Sequence, residues 1–144
     1  MWSLLHAQSL PTHRASQLMT TNIDLTGTSV LVVEDEPLIA MFIEDALVDL
    51  GCETIAIVSN LTEAMTKAAE LQYDIVMLDV NLGGEQTFKL AESLCAKHLP
   101  LIFSTGYGSA GIPSHLQHVP VLQKPFQESE LREKLQTALA ARRS

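Results

Sequence analysis

The stretch Tyr73-Asp74-Ile75-Val76-Met77-Leu78-Asp79-Val80-Asn81-Leu82-Gly83-Gly84 limits the fold of this chain more than any other. Its apolar run, Ile75 to Leu78, is short and unbroken by polar residues, the pattern of a strand covered on both faces in a parallel α/β sheet. The run stops at a carboxylate, followed by an amide and two glycines. Ligands of such sheets bind beyond the carboxyl ends of the strands, so Asp79 is the first candidate for chemistry. Alone it could equally shape a turn, because Asp bonds its own backbone. The other strand ends decide between these roles.

Strand and helix signals alternate from Ser29 onward, which predicts a doubly wound, five-stranded parallel sheet with helices on both faces. Val30-Leu31-Val32-Val33 runs into Glu34-Asp35-Glu36, and Pro37 opens a helix where its missing N–H costs nothing. Leu38, Phe42, Ala46, Leu47 and Leu50 fall on one stripe of that helix, the face expected against the sheet, with Glu44, Asp45 and Asp49 elsewhere. Gly51 caps it. Thr54 to Val58 form a second strand, and Asn60 caps a helix whose Leu61, Ala64, Ala68 and Leu71 share a face. After Gly83-Gly84, Glu85 to Lys97 reads as helix, with Phe88, Ala91, Leu94 and Cys95 inward. Leu101-Ile102-Phe103 then runs into Ser104-Thr105-Gly106. Gly108, Gly111 and Pro113 break the next pattern, predicting a short or disordered fourth helix between Tyr107 and Val119. Val121-Leu122-Gln123 ends at Lys124-Pro125. The last helix, Glu128 to Ala141, turns Leu131, Leu135, Ala138 and Leu139 inward.

The 144 residues suit one domain. Residues 1–24 read as a flexible N-terminal extension and 25–144 as the domain. A formal charge of -8 argues against nucleic acid as a partner, since phosphate contacts need clustered Lys and Arg. Cys52 and Cys95 have neither metal-ligand spacing nor a disulfide framework and read as buried thiols in a reducing compartment. His115 and His118 share helical spacing but lack a second ligand pair. No apolar run is long enough to span a membrane and the start lacks a charged leader. The expected location is cytoplasmic, without membrane contact.

The doubly wound sheet gathers Glu34 and Asp35 from the first strand end, Asp79 from the third, Thr105 from the fourth and Lys124 from the fifth. Carboxylates about 4 Å apart repel by roughly 4 kcal/mol per pair at an effective dielectric near 20, so a cation must offset them. Mg²⁺ suits an all-oxygen site. The expected ligands are Asp35, Asp79 and the backbone carbonyl of Asn81, with Glu34 acting directly or through water. Asp79 would then attack a phosphoryl group, with Mg²⁺ and Lys124 sharing the charge on the transferring oxygens. The Thr105 hydroxyl would turn to a phosphate oxygen and bias a nearby loop.

With these motifs in order, the chain from Ser29 to about Ala141 strongly resembles the response-regulator receiver domain of two-component signalling. The resemblance implies a flavodoxin-like strand order of 2-1-3-4-5. It makes Asp79 the phosphoacceptor, Glu34 and Asp35 part of a Mg²⁺ pocket, and Lys124 a phosphate contact. The run Phe103-Ser104-Thr105-Gly106-Tyr107 further resembles a stand-alone subgroup with a Phe-Ala-Thr-Gly-Tyr type motif, Ser104 replacing Ala. Receivers usually carry a switch Tyr or Phe three residues before the Lys. Here Val121 stands there, and Tyr107 is the candidate replacement. The implied partners are a histidine kinase or histidine phosphotransferase and a downstream protein effector, with a homodimer left open. Such a chain is not an enzyme on separate substrates, although it assists its own phosphorylation and dephosphorylation. A haloacid dehalogenase type phosphatase would want an Asp where Asn81 stands, so its proton donor is missing. A receiver-like scaffold that is never phosphorylated is the other alternative.

Residues 1–18 are expected to be dispensable. A chain starting at Met19 should fold and be phosphorylated like the full chain, as circular dichroism and intact mass would report. Loss of either property contradicts this reading.

Overall fold

The computed structural model describes residues 23–70 and 72–143. Its main elements are β1 (Ser29–Val33), α1 (Pro37–Asp49), β2 (Thr54–Val58), α2 (Leu61–Ala69), β3 (Ile75–Asp79), β4 (Asn81–Leu82), β5 (Glu85–Gln86), α3 (Phe88–Ala96), β6 (Leu101–Thr105), β7 (Val121–Gln123) and α4 (Glu128–Arg143). One five-stranded sheet runs β2-β1-β3-β6-β7, with every neighbouring pair parallel. This is the expected 2-1-3-4-5 order, counting the sheet's own strands along the chain.

Register carries this topology to the site. Val33 lies level with Val58 and Leu78, Asp79 with Ser104, and Thr105 with Gln123. The residues at or just beyond these positions, Glu34, Asp79, Thr105 and Lys124, therefore reach one rim of the sheet. Alternation along each strand supplies the two faces. Leu31, Val33, Val76, Leu78 and Phe103 pack with Ala64 and Ala68 of α2 and Leu90, Ala91 and Leu94 of α3. Val30, Val32, Ile75, Met77, Ile102 and Leu122 pack with Ile43, Ala46 and Leu47 of α1 and Leu131, Leu135 and Ala138 of α4. Asn60 caps α2, its side-chain oxygen accepting the Glu63 N–H at 2.9 Å.

Several expectations need correction. In α1 the buried residues are Ala40, Ile43, Ala46 and Leu47, whereas Leu38 and Phe42 face outward and are 81% and 44% exposed. The helix is apolar enough that two stripes fit helical spacing, and the sheet takes the one with smaller residues. Helix α3 starts at Phe88 rather than Glu85, because Glu85–Gln86 pairs antiparallel with Asn81–Leu82. Gly83 and Gly84 have φ of 59° and 90°, the left-handed pair that a two-residue hairpin turn requires. Between β6 and β7 there is a single 3₁₀ turn, Ser114–Leu116, in keeping with the short or disordered fourth helix expected there. Ile23 packs on the α1/α4 core, and its carbonyl accepts a hydrogen bond from Gln136 Nε2 at 2.9 Å. Leu71 and most of the N-terminal extension lie outside the described residues. Among the described residues, no helix is long and apolar enough to cross a membrane.

The two faces of α1 should respond differently to truncation. Ile43→Ala, at a fully buried position, is expected to cost about 2–5 kcal/mol in urea unfolding. Val48→Ala, on the exposed side, should stay within about 0.5 kcal/mol. Equal losses would contradict the assignment of faces.

Candidate functional site

Asp79 ends β3 and is buried. Its Oδ2 accepts a hydrogen bond from Lys124 Nζ at 2.9 Å, and its Oδ1 accepts the Asn81 N–H at 3.2 Å. Its own carbonyl accepts the hydroxyl of the fully buried Thr87 at 2.7 Å. Position, backbone and side chain are thus all fixed before any ligand arrives.

Glu34 follows β1 and is as deeply placed. Its Oε2 accepts the Glu36 N–H at 3.1 Å, while Oε1 lies 2.9 Å from Lys124 Nζ in an ion pair that lacks hydrogen-bond alignment. Lys124 Nζ therefore sits between two buried carboxylates, with Glu36 a looser third at 3.8 Å. Asp35 is less buried, and its Oδ2 accepts the Gly83 N–H at 2.9 Å. That bond ties the acidic turn after β1 to the hairpin after β3.

Charge is unbalanced here. Glu34, Asp35 and Asp79 each bring a carboxylate oxygen within 4.8 Å of the others, against one nearby ammonium. Burial, the larger cause, and the Asp79 charge push the Glu34 carboxyl up to about 7, while Lys124 pulls the other way. Burial also works against the Lys124 ammonium, but the adjacent Glu34 and Asp79 carboxylates outweigh it and raise its pKa. An oxygen-only donor set with a buried, unbonded oxygen on Glu34 suits a hard divalent cation such as Mg²⁺. Asn81 fits the carbonyl-ligand role too. Val80 and Thr87 are joined by a 3.1 Å backbone bond, so Asn81 and Gln86, the next pair towards the turn, belong to the kind that does not exchange bonds. The hairpin thus leaves the Asn81 carbonyl uncommitted.

Thr105 is buried at the end of β6, where its Oγ1 accepts the Tyr107 N–H at 3.1 Å. The Tyr107 ring is 79% exposed, and Val121 is half-buried at the usual switch position. His115 Nε2 lies 2.6 Å from Glu92 Oε2, and His118 Nε2 lies 3.9 Å from Cys95 Sγ. Among the described residues, the trio placed to hold a metal is Glu34, Asp35 and Asp79.

Three contributors were not singled out from sequence. Thr87, one position before α3, locks the Asp79 backbone, and its location between a glycine turn and a helix start was the available signal. The Gly83 N–H orients Asp35, a long-range bond that nothing in the local pattern announces. Glu36, an exposed acid in the turn after β1, lies 3.8 Å from Lys124, at the edge of the site.

Comparison with known proteins follows the same lines. The sequence profile described as the response regulator receiver domain matches residues 30–136. The phyllosphere-induced regulator PhyR of Methylorubrum extorquens is 30% identical over 117 residues, covering 78% of this chain and 44% of that protein. The chain thus spans less than half the length of that curated relative. The solution structure of SdrG from Sphingomonas melonis is 39% identical with a TM-score of 0.67, covering 81% of this chain and 97% of that one. The receiver domain of a sensor histidine kinase from Pseudomonas aeruginosa, described with a magnesium ion coordinated in its active-site cleft, is 26% identical with a TM-score of 0.68, covering 79% and 98%.

The raised Glu34 value has a measurable consequence. The folded chain holds a proton on Glu34 up to about pH 7, whereas the ordinary glutamate value is 4.5. Between these values the folded state binds more protons than the unfolded one, so this group's stabilising contribution falls as pH rises through the window. The total is about 3 kcal/mol. Urea unfolding with a chelator present, from pH 4.5 to 7.5, should show wild type losing stability relative to Glu34→Gln. A relative gain, or parallel curves, would contradict the assignment.

Proposed function

This chain belongs to the response regulator receiver domain family, and on that premise we propose that Asp79 accepts a phosphoryl group from a histidine kinase or histidine phosphotransferase in a Mg²⁺-dependent step. The observation that carries this reading is the fixed geometry of Asp79, with one oxygen on the Lys124 ammonium and the other on the Asn81 amide. A carboxylate so held needs no reorganisation to act as nucleophile. Asp79 attacks phosphorus, the bond to the donor's imidazole nitrogen breaks, and the electron pair leaves with that nitrogen. Asp35, Asp79, the Asn81 carbonyl and Glu34 would hold Mg²⁺. When bound, the ion supplies positive charge against the phosphoryl oxygens. Lys124 is already at hydrogen-bond distance from Asp79 and stabilises the transferring group from the other side.

The output is a change of shape read by a separate protein. Thr105 spends its oxygen on the Tyr107 N–H. Turning its hydroxyl towards a phosphoryl oxygen breaks that bond and releases the segment that starts at Tyr107. The chain then acts as a stand-alone regulator, its signal passed to an effector on another chain. On this reading the chain is a phosphoacceptor rather than an enzyme, and it works in the cytoplasm.

Incubation with Mg²⁺ and a small phosphodonor should add the mass of one phosphoryl group, and Asp79→Asn or a chelator should abolish it. Continuous phosphate release without a modified species would favour a phosphatase, and no modification a scaffold. Tyr107→Ala should accept phosphate at the wild-type rate yet lose at least about tenfold in phosphorylation-dependent partner binding, a change of about 1.4 kcal/mol. Unchanged partner affinity would remove Tyr107 from the switch.

A further inference from the structure

At the start of β6, the end of the sheet away from Asp79, lies a groove of about 480 Å³ lined by Cys95, His98 and His118. His118 Nε2 is 3.9 Å from Cys95 Sγ. A tetrahedral ion bonded to a sulfur at about 2.3 Å and an imidazole nitrogen at about 2.0 Å sets those two donors roughly 3.6 Å apart. The pair therefore stands close to ligand geometry. Beside it, His115 Nε2 meets Glu92 Oε2 at 2.6 Å, and both contacts join residues 23 apart. Helix α3 and the turn before β7 thus lie in matched register. At the end of α3, His98 takes the left-handed region at φ 60°, a position usually given to Gly and unfavourable for other residues. The Leu99 N–H returns to the Leu94 carbonyl at 3.1 Å, and His98 comes back to the groove that holds Cys95. From spacing alone, His115 and His118 lacked a second ligand pair. The fold supplies one in Cys95 and His98, three residues apart, and commits His115 to Glu92.

We propose that Cys95, His98 and His118 bind a borderline-soft divalent ion such as Zn²⁺, with water in the fourth position. One thiolate and two imidazoles select such an ion over Mg²⁺, which takes oxygen ligands. The acidic trio at the rim has its three donors within 4.8 Å of one another. In the groove two donors are in contact, and the exposed His98 turns in to complete the set. Burial pushes the Cys95 thiol up, and its proton passes to solvent as the sulfur bonds the metal. The ion would tie α3 to the chain just before β7, at the far end of the segment that starts at Tyr107. Any effect on the release of that segment rests on Asp79 as phosphoacceptor, whereas metal binding does not.

Titration of the full, reduced chain with Co²⁺ tests this. Wild type should develop a tetrahedral cobalt spectrum with a sulfur-to-cobalt charge-transfer band, which Zn²⁺ displaces and excess Mg²⁺ does not. Cys95→Ser should abolish the band and Cys52→Ser should keep it. His98→Ala and His118→Ala should each weaken binding at least about tenfold, a loss that even a residue behind a metal ligand can bring, with unchanged circular dichroism. Arg142 also borders the groove and its charge opposes a cation, so Arg142→Ala should bind no more weakly. Absence of the band from wild type would overturn the proposal, as would a band that survives Cys95→Ser or is indifferent to either histidine. Loss of the band in His6→Ala/His13→Ala would bring in ligands from outside the groove and overturn it too. Asp79→Asn should keep the band, so this reading and phosphoryl transfer to Asp79 fail separately.

Discussion

One ammonium held between two buried carboxylates organises the functional end of this protein. Lys124 lies within 2.9 Å of both Glu34 and Asp79, linking the strand ends of β1, β3 and β7 across the sheet. Such an arrangement is costly to break: removing one member of a buried ion pair strands the other, typically at about 3–5 kcal/mol. It also explains why the rim carries so much negative charge without flying apart. Lys124 answers part of it, a proton on Glu34 another part, and an oxygen-seeking cation fits what is left.

Much of this could be read from the chain because each strand ends where its apolar run ends. Asp79 after Leu78, Glu34 after Val33 and Lys124 after Gln123 were placed by hydrophobic pattern alone, and parallel register brings them to one rim. What escaped the sequence has physical reasons. The strands β4 and β5 are two residues each, too short for alternation to show, so the Glu85–Gln86 pair read as the start of α3. Leu38 and Phe42 were assigned inward because α1 offers two apolar stripes, and spacing cannot choose between them. The sheet takes the stripe with Ile43, Ala46 and Leu47, which pack in one core with Val30, Val32 and Ile75. Thr87 matters through one bond to the Asp79 carbonyl, made across a hairpin too short to show in the hydrophobic pattern, so only its place between a glycine turn and a helix start hinted at it.

The same geometry separates what is rigid from what can respond. Asp79 is fastened on both oxygens and on its carbonyl, so the site barely needs to move. Thr105 is different: its side-chain oxygen accepts only the Tyr107 N–H among the described residues, a bond that is lost when the side chain rotates towards another partner. Past it, Gly108 and Gly111 hold positive φ, and only one 3₁₀ turn stands where a full helix would stiffen the connection to β7. A local change at the rim can therefore be passed into this segment without disturbing the sheet. On the opposite side, the outward face of α1 gives the protein an apolar surface next to the same rim.

The central claim is that distant strand ends form one pocket. A Mg²⁺ titration followed by two-dimensional amide NMR tests it most directly. The account predicts that the amides of Asp35, Asp79, Asn81 and Gly83 shift together along a single saturation curve, which Asp35→Asn weakens for all of them. Shifts that saturate at different concentrations, or that leave Asp35 and Gly83 unmoved while Asp79 responds, would contradict it.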